Sequence, residues 1–442
     1  MVGAAPARDE VRNPYTNERV GTIAIASASD MNDAIEGAAR GFAAFARWPR
    51  FKRKELLLGI AQLLRERRGD FVELMIAESG KPRTYAELEV DRAIATFTLG
   101  AEEATRTGGE VLPLDLSPAT EGYTSIVTRR PIGVVGAIAP FNFPLNLIAH
   151  KLAPAFAVGN TVVLKPPPQA PLTALELARA IYDAGLPREA LSVVHCPVEV
   201  AQSLATDDRI AMLSFTGSAA VGWRLKNIAG RKRVALELGG NAAAIVCADA
   251  DIAWAAKRCA LGSFAQAGQV CIKVQRVLVD ATIWEPFCEA YVRETAALHV
   301  GDPTDPQTIV GPVIDESSAE RIVSWIDEAV AQGARLLHGG KCSGTVIEPT
   351  ILTDTRAMMK VECEEVFGPV STIAPFRTID EAFDRANASR YGLQAGLFTY
   401  DIRTISRAFH ELEVGAVIVN DAPTFRADNY PYGGTKDSGF GR

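Results

Sequence analysis

The sequence contains few cysteines, and they form no recognisable metal-binding or disulfide pattern. The seven cysteines are scattered over 442 residues, their number is odd, and no CxxC pair or Cys/His cluster has the spacing of metal ligands. This usage argues against a disulfide framework and a structural zinc site, and it is typical of a reducing compartment. Six of the seven are expected to be small, buried apolar side chains: Cys196, Cys247, Cys259, Cys288, Cys342 and Cys363.

Long apolar runs and an excess of positive charge are also missing. No stretch approaches the roughly 18 residues of a membrane span, and the run after Phe141 is interrupted by His150 and Lys151. Residues 1–10 lack the apolar core of a signal peptide. The net charge of −7 argues against binding to a nucleic-acid backbone. We therefore expect a cytoplasmic protein without nucleic-acid or membrane partners.

Apolar runs alternating with helical patterns occupy much of the chain. Because a domain typically has about 150–250 residues, the length predicts two domains. Apolar spacing predicts helices over residues 29–46 and 52–78. From residue 132, short apolar runs alternate with helical segments such as Leu172–Ala184, which predicts a parallel, doubly wound α/β sheet. Its predicted strands are Val134–Ala139, Thr161–Leu164, Ser192–Val194, Met212–Phe215, Val234–Leu236 and Ala243–Val246.

A second α/β pattern follows, from about residue 240 to 422. Helices are predicted near residues 252–264, 316–332 and 401–411. Strands are predicted at Gln275–Val279, Val346–Leu352 and Ala416–Val419.

Polar residues follow four strands of the first sheet. Asn142, Lys165, the run Thr216-Gly217-Ser218 and Glu237 each come at or just after the carboxyl end of a predicted strand. In open parallel sheets, ligands bind beyond the carboxyl ends of the strands. The first sheet is therefore expected to carry a functional site at this edge.

Cys271 and Glu237 are the residue pair most suggestive of catalysis. Cys271 lies in the small-residue run Gln266-Ala-Gly-Gln-Val-Cys271, where a substrate could approach closely, and Glu237 precedes it by 34 positions (271 − 237). A thiol can act as a nucleophile, and a carboxylate at the end of an apolar strand can act as a base. Desolvation there should raise the pKa of Glu237. This pattern favours covalent catalysis through a thiolate, followed by hydrolysis.

The flanking motifs resemble those of the aldehyde dehydrogenase superfamily, in that family's order and over nearly the whole chain. They are Pro140-Phe-Asn-Phe-Pro144, Lys165-Pro166, Phe215-Thr-Gly-Ser218, Glu237-Leu-Gly-Gly240, Gly268-Gln-Val-Cys271, Glu364-Glu-Val-Phe-Gly-Pro369 and Tyr432-Gly-Gly-Thr-Lys-Asp-Ser-Gly439.

The resemblance implies a domain layout. It places an NAD(P)-binding Rossmann-like domain at residues 1–110 and 131–239 and an α/β catalytic domain at residues 240–422. Residues 111–130 would form an oligomerisation hairpin, and residues 423–442 would return to the cofactor domain or the interface.

The resemblance also implies catalytic roles. Cys271 would attack the aldehyde carbon, and the Asn142 amide with the backbone N–H of Cys271 would stabilise the resulting oxyanion. Hydride would pass to the nicotinamide, and Glu237 would activate the water that hydrolyses the remaining thioester. Lys151 matches a lysine that relays protons from this base.

The cofactor is expected to be NAD or NADP. Gly217 and Ser218 form a strand–turn–helix start that suits a pyrophosphate, although a GxGxxG motif is absent. Many NAD-preferring relatives carry a glutamate at the position of Pro168, so the sequence leaves the choice of cofactor open. The cofactor-binding residues implied are Ile138, Ala139, Pro140, Phe141, Lys165, Pro168, Gly217, Ser218, Val221, Leu238, Gly239, Glu365 and Phe367.

The substrate is expected to be a small polar or anionic aldehyde, because the sequence looks most like the lactaldehyde-dehydrogenase-like branch. Arg426 could pair with a substrate carboxylate or phosphate, or it could form a structural contact with Asp428. Val270 stands where some phosphate-handling members have arginine, which argues mildly against glyceraldehyde 3-phosphate. The substrate-binding residues implied are Phe143, Leu147 and His150 on one helical series, with Val270, Ile272, Arg426 and Tyr432.

Three local departures from the family accompany these motifs. Asn241 replaces a common lysine, His195-Cys196-Pro197 replaces a Gly-rich turn, and the sequence ends at Arg442. Relatives usually continue with a strand that pairs across a homodimer or homotetramer interface; without such a strand a sheet edge would be left exposed, and the usual homo-oligomer would be in doubt. Two alternatives stay open: a CoA-acylating semialdehyde dehydrogenase, which Glu237 argues against, and a catalytically silent member of the fold.

Overall fold

The structure, a computed structural model, describes residues 7–106 and 108–442. Residues 1–6, which make up most of the segment predicted not to be a signal peptide, lie outside the described residues. A hairpin and four helices open the chain: β1 (Arg8–Arg12), β2 (Arg19–Ala24), α1 (Ala28–Phe45), α2 (Arg50–Glu66), α3 (Arg68–Ser79) and α4 (Arg83–Arg106). A capping box of Ser27 and Asp30 begins α1. The single helix predicted over residues 52–78 is wrong, because Arg67 leaves helical geometry and separates α2 from α3.

An exposed two-stranded ribbon follows. Strands β3 (Gly109–Pro113) and β4 (Thr124–Thr128) pair antiparallel, with Val111 opposite Ile126. Both of these side chains are largely exposed, at 69% and 74%. The ribbon therefore has no apolar core of its own.

The first sheet has the order β21-β9-β8-β5-β6-β7, and its strands are parallel except for β21. All six predicted strand positions hold strands, five of which belong to this sheet. The elements are β5 (Val134–Ile138), α5 (Asn146–Val158), β6 (Thr161–Lys165), α6 (Leu172–Asp183), β7 (Leu191–Val193), α7 (Val198–Ala201), α8 (Ser203–Thr206), β8 (Ile210–Thr216), α9 (Ala219–Ile228) and β9 (Arg233–Glu237).

The sixth strand, β10, belongs instead to a second sheet of order β12-β15-β16-β11-β10-β18-β19, in which only β12 is antiparallel. Its elements and those that follow it are β10 (Ala242–Val246), α10 (Ile252–Phe264), β11 (Val274–Asp280), α11 (Trp284–Ala296), α12 (Glu316–Ala331), β12 (Arg335–His338), β13 (Cys342–Ser343), β14 (Val346–Ile347), β15 (Thr350–Thr353), α13 (Lys360–Cys363), β16 (Val370–Phe376), α14 (Ile379–Asn387), β17 (Tyr391–Gly392), β18 (Gln394–Phe398), α15 (Ile402–Glu411), β19 (Ala416–Val419), β20 (Thr435–Lys436) and β21 (Gly439–Phe440).

Two further expectations need correction. The strand predicted at residues 346–352 is divided into β14 and β15, which lie in different sheets. Only Cys196 and Cys259 of the six non-nucleophilic cysteines are fully buried, and Cys342 is exposed at the short β13 hairpin. Among the helices that the structure describes, none is both long and apolar enough to cross a membrane.

Candidate active site

The loop that carries Cys271 lies against the carboxyl end of β9. This loop connects α10 to β11, and the chain leaving β9 passes so close to it that a Cβ on Gly240 would lie 2.3 Å from the carbonyl oxygen of Cys271. Such an approach requires glycine. The first sheet thus presents its strand ends to the cysteine loop at the start of the second sheet.

The backbone before Cys271 has an unusual conformation. Gln266 and Ala267 have φ angles of 55° and 54°, in the left-handed region that non-glycine residues rarely occupy, and Gly268 continues it at 66°. A Cβ on Gly268 would lie 2.3 Å from the carbonyl oxygen of Gly368. Strained backbone of this kind persists where surrounding contacts hold it, often at functional sites.

Asn142 is directed towards this loop. It is buried in the turn after β5, and its Nδ2 donates to the carbonyl oxygen of Gln269, at 2.8 Å. Its own carbonyl oxygen accepts from Gln266 Nε2, at 2.5 Å, and from Lys81 Nζ, at 2.7 Å. The side-chain amide of Asn142 is thereby held at Gln269, which precedes Cys271 by two residues.

The Cys271 thiol is half-buried and contacts one polar side chain. Its Sγ lies 3.3 Å from the hydroxyl oxygen of Tyr432. Burial raises the pKa of Cys271 to about 12, and the hydrogen bond with Tyr432 partly opposes this rise. The resting thiol is therefore protonated at neutral pH and needs a base before it can attack.

Glu237 ends β9 and supplies a carboxylate of the required kind. Burial raises its pKa to about 7, while the charges of Lys151 and Arg426 act in the opposite direction. Within the described chain its Oε2 is buried and has no hydrogen-bond partner. The rise predicted from desolvation is confirmed, and it leaves the group poised to exchange protons near neutrality.

Lys151 projects from α5 towards the neighbouring strand. Its Nζ donates to Ser214 Oγ, at 3.1 Å, and to Thr216 Oγ1, at 2.8 Å. Thr216 is the register partner of Glu237 across β8 and β9. Burial lowers the pKa of Lys151 to about 8, so that it too can exchange a proton under mild conditions.

The residues expected to hold a dinucleotide line the same edge. Gly217 and Ser218 lead from β8 into α9, and Ser218 makes no side-chain capping bond to this helix in the described structure. The first N–H groups of α9 therefore suit a phosphate. Lys165 is buried at the end of β6, and Leu238 is buried after β9, whereas Pro168 and Val221 are exposed.

Glu365 and Phe367 approach this edge from the second sheet. Glu365 Oε1 accepts from the backbone N–H of Gly240, at 2.9 Å, and a Cβ on Gly239 would lie 2.0 Å from its other carboxylate oxygen. The ring of Phe367 packs edge-on against Phe141, with ring centroids 5.8 Å apart. These predicted cofactor residues lie together, and Ile138, Ala139 and Pro140 lead from β5 to Phe141. The arrangement fits a nicotinamide dinucleotide.

Arg426 packs on Tyr432, the residue that contacts the thiol, and its charge acts on Glu237. Its guanidinium stacks over the Tyr432 ring, 4.2 Å from the centroid, and its Nη1 donates to the Ala427 carbonyl oxygen, at 2.7 Å. Its Nε is 4.0 Å from Asp428. The alternative contact with Asp428 is thus present but long, and Asp428 is bonded more closely by Arg92, at 2.8 Å.

Of the remaining predicted substrate residues, His150 is linked to Arg426 through Asp428. His150 Nε2 lies 3.1 Å from Asp428 Oδ1, and hydrogen bonds from His150 and Arg92 hold the pKa of Asp428 well below its usual range although burial acts to raise it. Phe143 lies in the turn before α5, so only Leu147 and His150 share a helix, contrary to the single helical series predicted. Val270 and Ile272 flank the thiol, the first half-buried and the second buried.

Sequence reasoning missed several residues that shape this site. Lys81, Glu89, Gln266 and Gln269 all bond to the Asn142 segment or to the loop that carries the thiol. The only signal for Lys81 was its position in a Gly-Lys-Pro turn between two helices. Glu89 resembles an ordinary helix glutamate until its helix is placed in the fold.

The fold and this thiol–carboxylate–amide arrangement define a class of enzyme, and the comparison with known proteins agrees. Residues 2–442 match the aldehyde dehydrogenase family, and the chain belongs to it. It is therefore an NAD(P)-dependent aldehyde dehydrogenase, as the sequence motifs predicted.

Individual relatives extend this assignment. A 3-sulfolactaldehyde dehydrogenase of Priestia aryabhattai is 43% identical over 434 residues, which cover 98% of this chain and 91% of the relative. The crystal structure of aldehyde dehydrogenase 21 from Physcomitrella patens, in complex with the reaction product succinate, has a TM-score of 0.97 at 40% identity, covering 99% and 92% of the two chains.

A second solved structure bears on the cofactor. The NADP complex of a glyceraldehyde-3-phosphate dehydrogenase from Methanocaldococcus jannaschii has a TM-score of 0.94 at 38% identity, and the match covers 98% of this chain and 94% of that one. The resemblance to the superfamily is confirmed, and the relatives do not favour the CoA-acylating alternative.

Proposed function

We propose that the chain oxidises a small anionic aldehyde to its carboxylic acid with NADP or NAD, through a covalent intermediate on Cys271. The observation that carries the proposal is the gathering of the Cys271 thiol, the Asn142 amide and the Glu237 carboxylate where the two sheets meet. Each group has the chemistry that one step of the reaction requires.

In the first step, Cys271 attacks the aldehyde carbon as a thiolate. Because its resting pKa is about 12, the proton must pass to a neighbouring base. Glu237 and Glu365 are two buried carboxylates whose charges act on the thiol, and we assign the role to Glu237, because Glu365 already accepts from the backbone of Gly240. The oxyanion that forms would be met by Asn142 Nδ2 and by the backbone N–H of Cys271. When bound, the oxidised nicotinamide accepts the hydride, so that a thioester on Cys271 remains.

In the second step, Glu237 takes a proton from water and the resulting hydroxide attacks the thioester. The C–S bond then breaks, which releases the carboxylic acid and restores the Cys271 thiolate. Thr216 and Lys151 offer a route for that proton away from the carboxylate, since Lys151 donates to Thr216 and Thr216 pairs with Glu237 across the sheet. Lys165, the start of α9 and Glu365 would hold the dinucleotide. Pro168 offers no carboxylate to repel a 2′-phosphate, so we propose that NADP is accepted.

Arg426 is the residue that supports an anionic substrate. It is a guanidinium one aromatic ring away from the thiol, and its closest hydrogen-bond partners in the described structure are backbone carbonyl groups rather than carboxylates. Two of the three relatives are named for a sulfonated and a phosphorylated aldehyde, and the structure of the third holds its reaction product succinate, a dicarboxylate. Sulfonate, carboxylate and phosphate are the groups that arginine pairs with.

We further propose the domain division implied by the motifs, with residues 1–110 and 131–239 binding the cofactor and residues 240–422 carrying the nucleophile. The hairpin of residues 111–130 and the segment 423–442 are proposed to take part in a homodimer or homotetramer. A cytoplasmic location fits the reduced cysteines that this chemistry needs.

The test is a panel of three- and four-carbon aldehydes that differ only in a terminal methyl, hydroxyl, carboxylate, sulfonate or phosphate group, each assayed with NAD and with NADP. We expect kcat/KM to be highest for an anionic member and turnover to vanish in Cys271→Ala. Failure of the whole panel in a protein that binds the cofactor would contradict the proposal.

The role of Arg426 is tested by comparing Arg426→Ala with Arg426→Lys. Loss of a charged hydrogen bond costs about 1.5–3 kcal/mol, so the alanine variant should lose roughly 10- to 100-fold in kcat/KM for the anionic aldehyde and little for the methyl analogue. The lysine variant should retain part of the preference. An equal loss for charged and neutral aldehydes would assign Arg426 a structural role instead.

A further inference from the structure

A buried ion pair lies close to the proposed catalytic groups but outside them. Lys81 and Glu89 are paired through Nζ and Oε2, and their side chains are 1% and 0% exposed. Lys81 occupies the turn between α3 and α4, and Glu89 lies on α4. Pairs this deeply buried contribute little net stability, because desolvation offsets the attraction, so their presence calls for another explanation.

Both members of the pair bind the segment Asn142–Asn146, which joins β5 to α5. Lys81 Nζ donates to the carbonyl oxygen of Asn142, at 2.7 Å, and lies 4.0 Å from the centroid of the Phe143 ring. Glu89 Oε1 accepts from the backbone N–H groups of Leu145 and Asn146, at 2.8 and 2.9 Å. The two side chains therefore bind the segment at its first residue and at its last two.

Glu89 also caps the N-terminus of α5. The first N–H groups of α5 have no partner inside the helix, and the residue at its N-cap position, Leu145, has no side chain able to accept from them. A carboxylate at this end also interacts favourably with the helix dipole. The start of α5, which follows the Asn142 turn directly, is thus fixed by a residue 56 positions earlier in the chain.

The opposite side of the Asn142 turn is fixed by the loop that carries the thiol. Gln266 Nε2 donates to the same carbonyl oxygen as Lys81, and Gln269 accepts from the Asn142 amide. The backbone of Asn142 is consequently held between α4 and the nucleophile loop. A shift of either support would move the amide relative to Cys271.

We propose that Lys81 and Glu89 are positioning residues of the oxyanion-binding site, which set the place of the Asn142 amide relative to Cys271. The proposal rests on the proposed function. A misplacement of about 1 Å in such a group can cost about 100-fold in rate, and loss of one oxyanion donor costs about 100- to 1000-fold. The pair should therefore affect the chemical step rather than cofactor binding.

The experiment compares Glu89→Gln and Lys81→Met with Glu78→Gln. Glu78 is a matched control, because it is equally buried and accepts from Leu172 and Thr173 at the start of α6 in the same way, away from Asn142. The measurement is the rate at which the first equivalent of NADPH forms, with ordinary substrate and with substrate that carries deuterium at the aldehyde carbon. We expect a fall of roughly 10- to 100-fold in both test variants, a full primary isotope effect, and an unchanged Kd for NADP. The control should stay within about threefold of the wild type.

A double-mutant cycle separates positioning from a general loss of structure. If the pair acts through Asn142, then Glu89→Gln in an Asn142→Ala background should cause little further loss. An equal fall in both backgrounds, an unchanged first-turnover rate, or an equal fall in Glu78→Gln would overturn the inference. Should Lys81→Met fail to fold, Glu89→Gln decides alone, since its amide oxygen can still accept from α5. A wild type without turnover would overturn the proposed function itself, whereas equal rates in an active wild type and Glu89→Gln would overturn this inference alone.

Discussion

Burial acts on two acids of this site with different chemical consequences. It raises the pKa of Glu237 to about 7, which leaves the carboxylate partly ionised near neutrality and able to take a proton from water. It raises the pKa of Cys271 to about 12, so the thiol is a nucleophile only while a neighbour removes its proton. Under the proposed mechanism, the same desolvation therefore prepares Glu237 to act as the base and makes Cys271 depend on a base.

This difference predicts how the Glu237→Gln variant will behave. Loss of a general base typically costs about 100- to 10,000-fold, so we expect steady-state turnover to fall by that order. A first equivalent of NADPH per site should still form, but more slowly, because Glu365 is a second buried carboxylate whose charge acts on the thiol, and the thioester should then accumulate. Rapid-mixing absorbance at 340 nm and mass spectrometry of the intact protein would measure the two events.

The pH dependence follows from the same carboxyl group. Because Glu237 must be ionised to act, wild-type kcat should rise with pH through about 7 and level off above it. The Glu237→Gln variant should lack this rise in kcat. Loss of the first equivalent together with steady-state turnover would show that Glu237 acts before hydride transfer, and a flat wild-type profile would contradict its assignment as the rate-determining base.

Residues at strand ends were predictable because one rule places them all. Asn142, Lys165 and Glu237 each follow an apolar run, and parallel strands bring their carboxyl ends to one edge. Lys81 and Glu89 were not predictable from the residues alone, since their partners lie 61 and 56 positions away and no local pattern indicates which helix faces which. The contacts between Arg426, Tyr432 and the thiol depend likewise on how the chain end folds back.

At the scale of secondary structure, α5 and α6, which connect strands of the first sheet, are capped in the same way. Glu78 caps α6 and Glu89 caps α5, in both cases with a fully buried carboxylate from a helix far back in the sequence. A local cap is different: at α1 both partners of the capping box, Ser27 and Asp30, lie within four residues of each other in the sequence. The break between α2 and α3 falls at Arg67, and Gly69, two residues later, is a local signal for it that the single predicted helix overlooked.

The Glu78 cap predicts a pH-dependent stability. Burial raises the folded-state pKa of Glu78 from 4.5 to about 7. Its contribution is therefore fully present below about pH 4.5 and is lost as the pH rises through 7. Glutamine cannot ionise, so Glu78→Gln should resemble the wild type near pH 5 and become more stable than it, by about 1–3 kcal/mol, near pH 8. Urea unfolding midpoints at both pH values would measure this, and a difference that does not change with pH would refute it.

For the molecule as a whole, the alternation of strands and helices was enough to predict two α/β units, but not the way in which they meet. The predicted strand at residues 243–246 forms β10 of the second sheet, and the last strand, β21, returns to pair with Glu237 and Leu236 of the first. These pairings join residues about 200 positions apart, such as Glu237 and Gly439, which periodicity cannot reveal. The proposed active site lies where this exchange brings the sheets together.

The exposed ribbon of β3 and β4 is a candidate interface between copies of this chain. Val111 and Ile126 face each other on its surface, and a two-stranded ribbon with exposed apolar side chains is marginal by itself and marks an interaction surface. If this chain forms the proposed homo-oligomer through the ribbon, Ile126→Glu should lower the mass found by sedimentation velocity. Leu58→Glu is the matched control, because Leu58 is also exposed but lies on α2. The first-turnover rate should survive in Ile126→Glu, since the ribbon is separate from the Cys271 site. An unchanged mass, or an equal change in both variants, would show that the ribbon is not the interface.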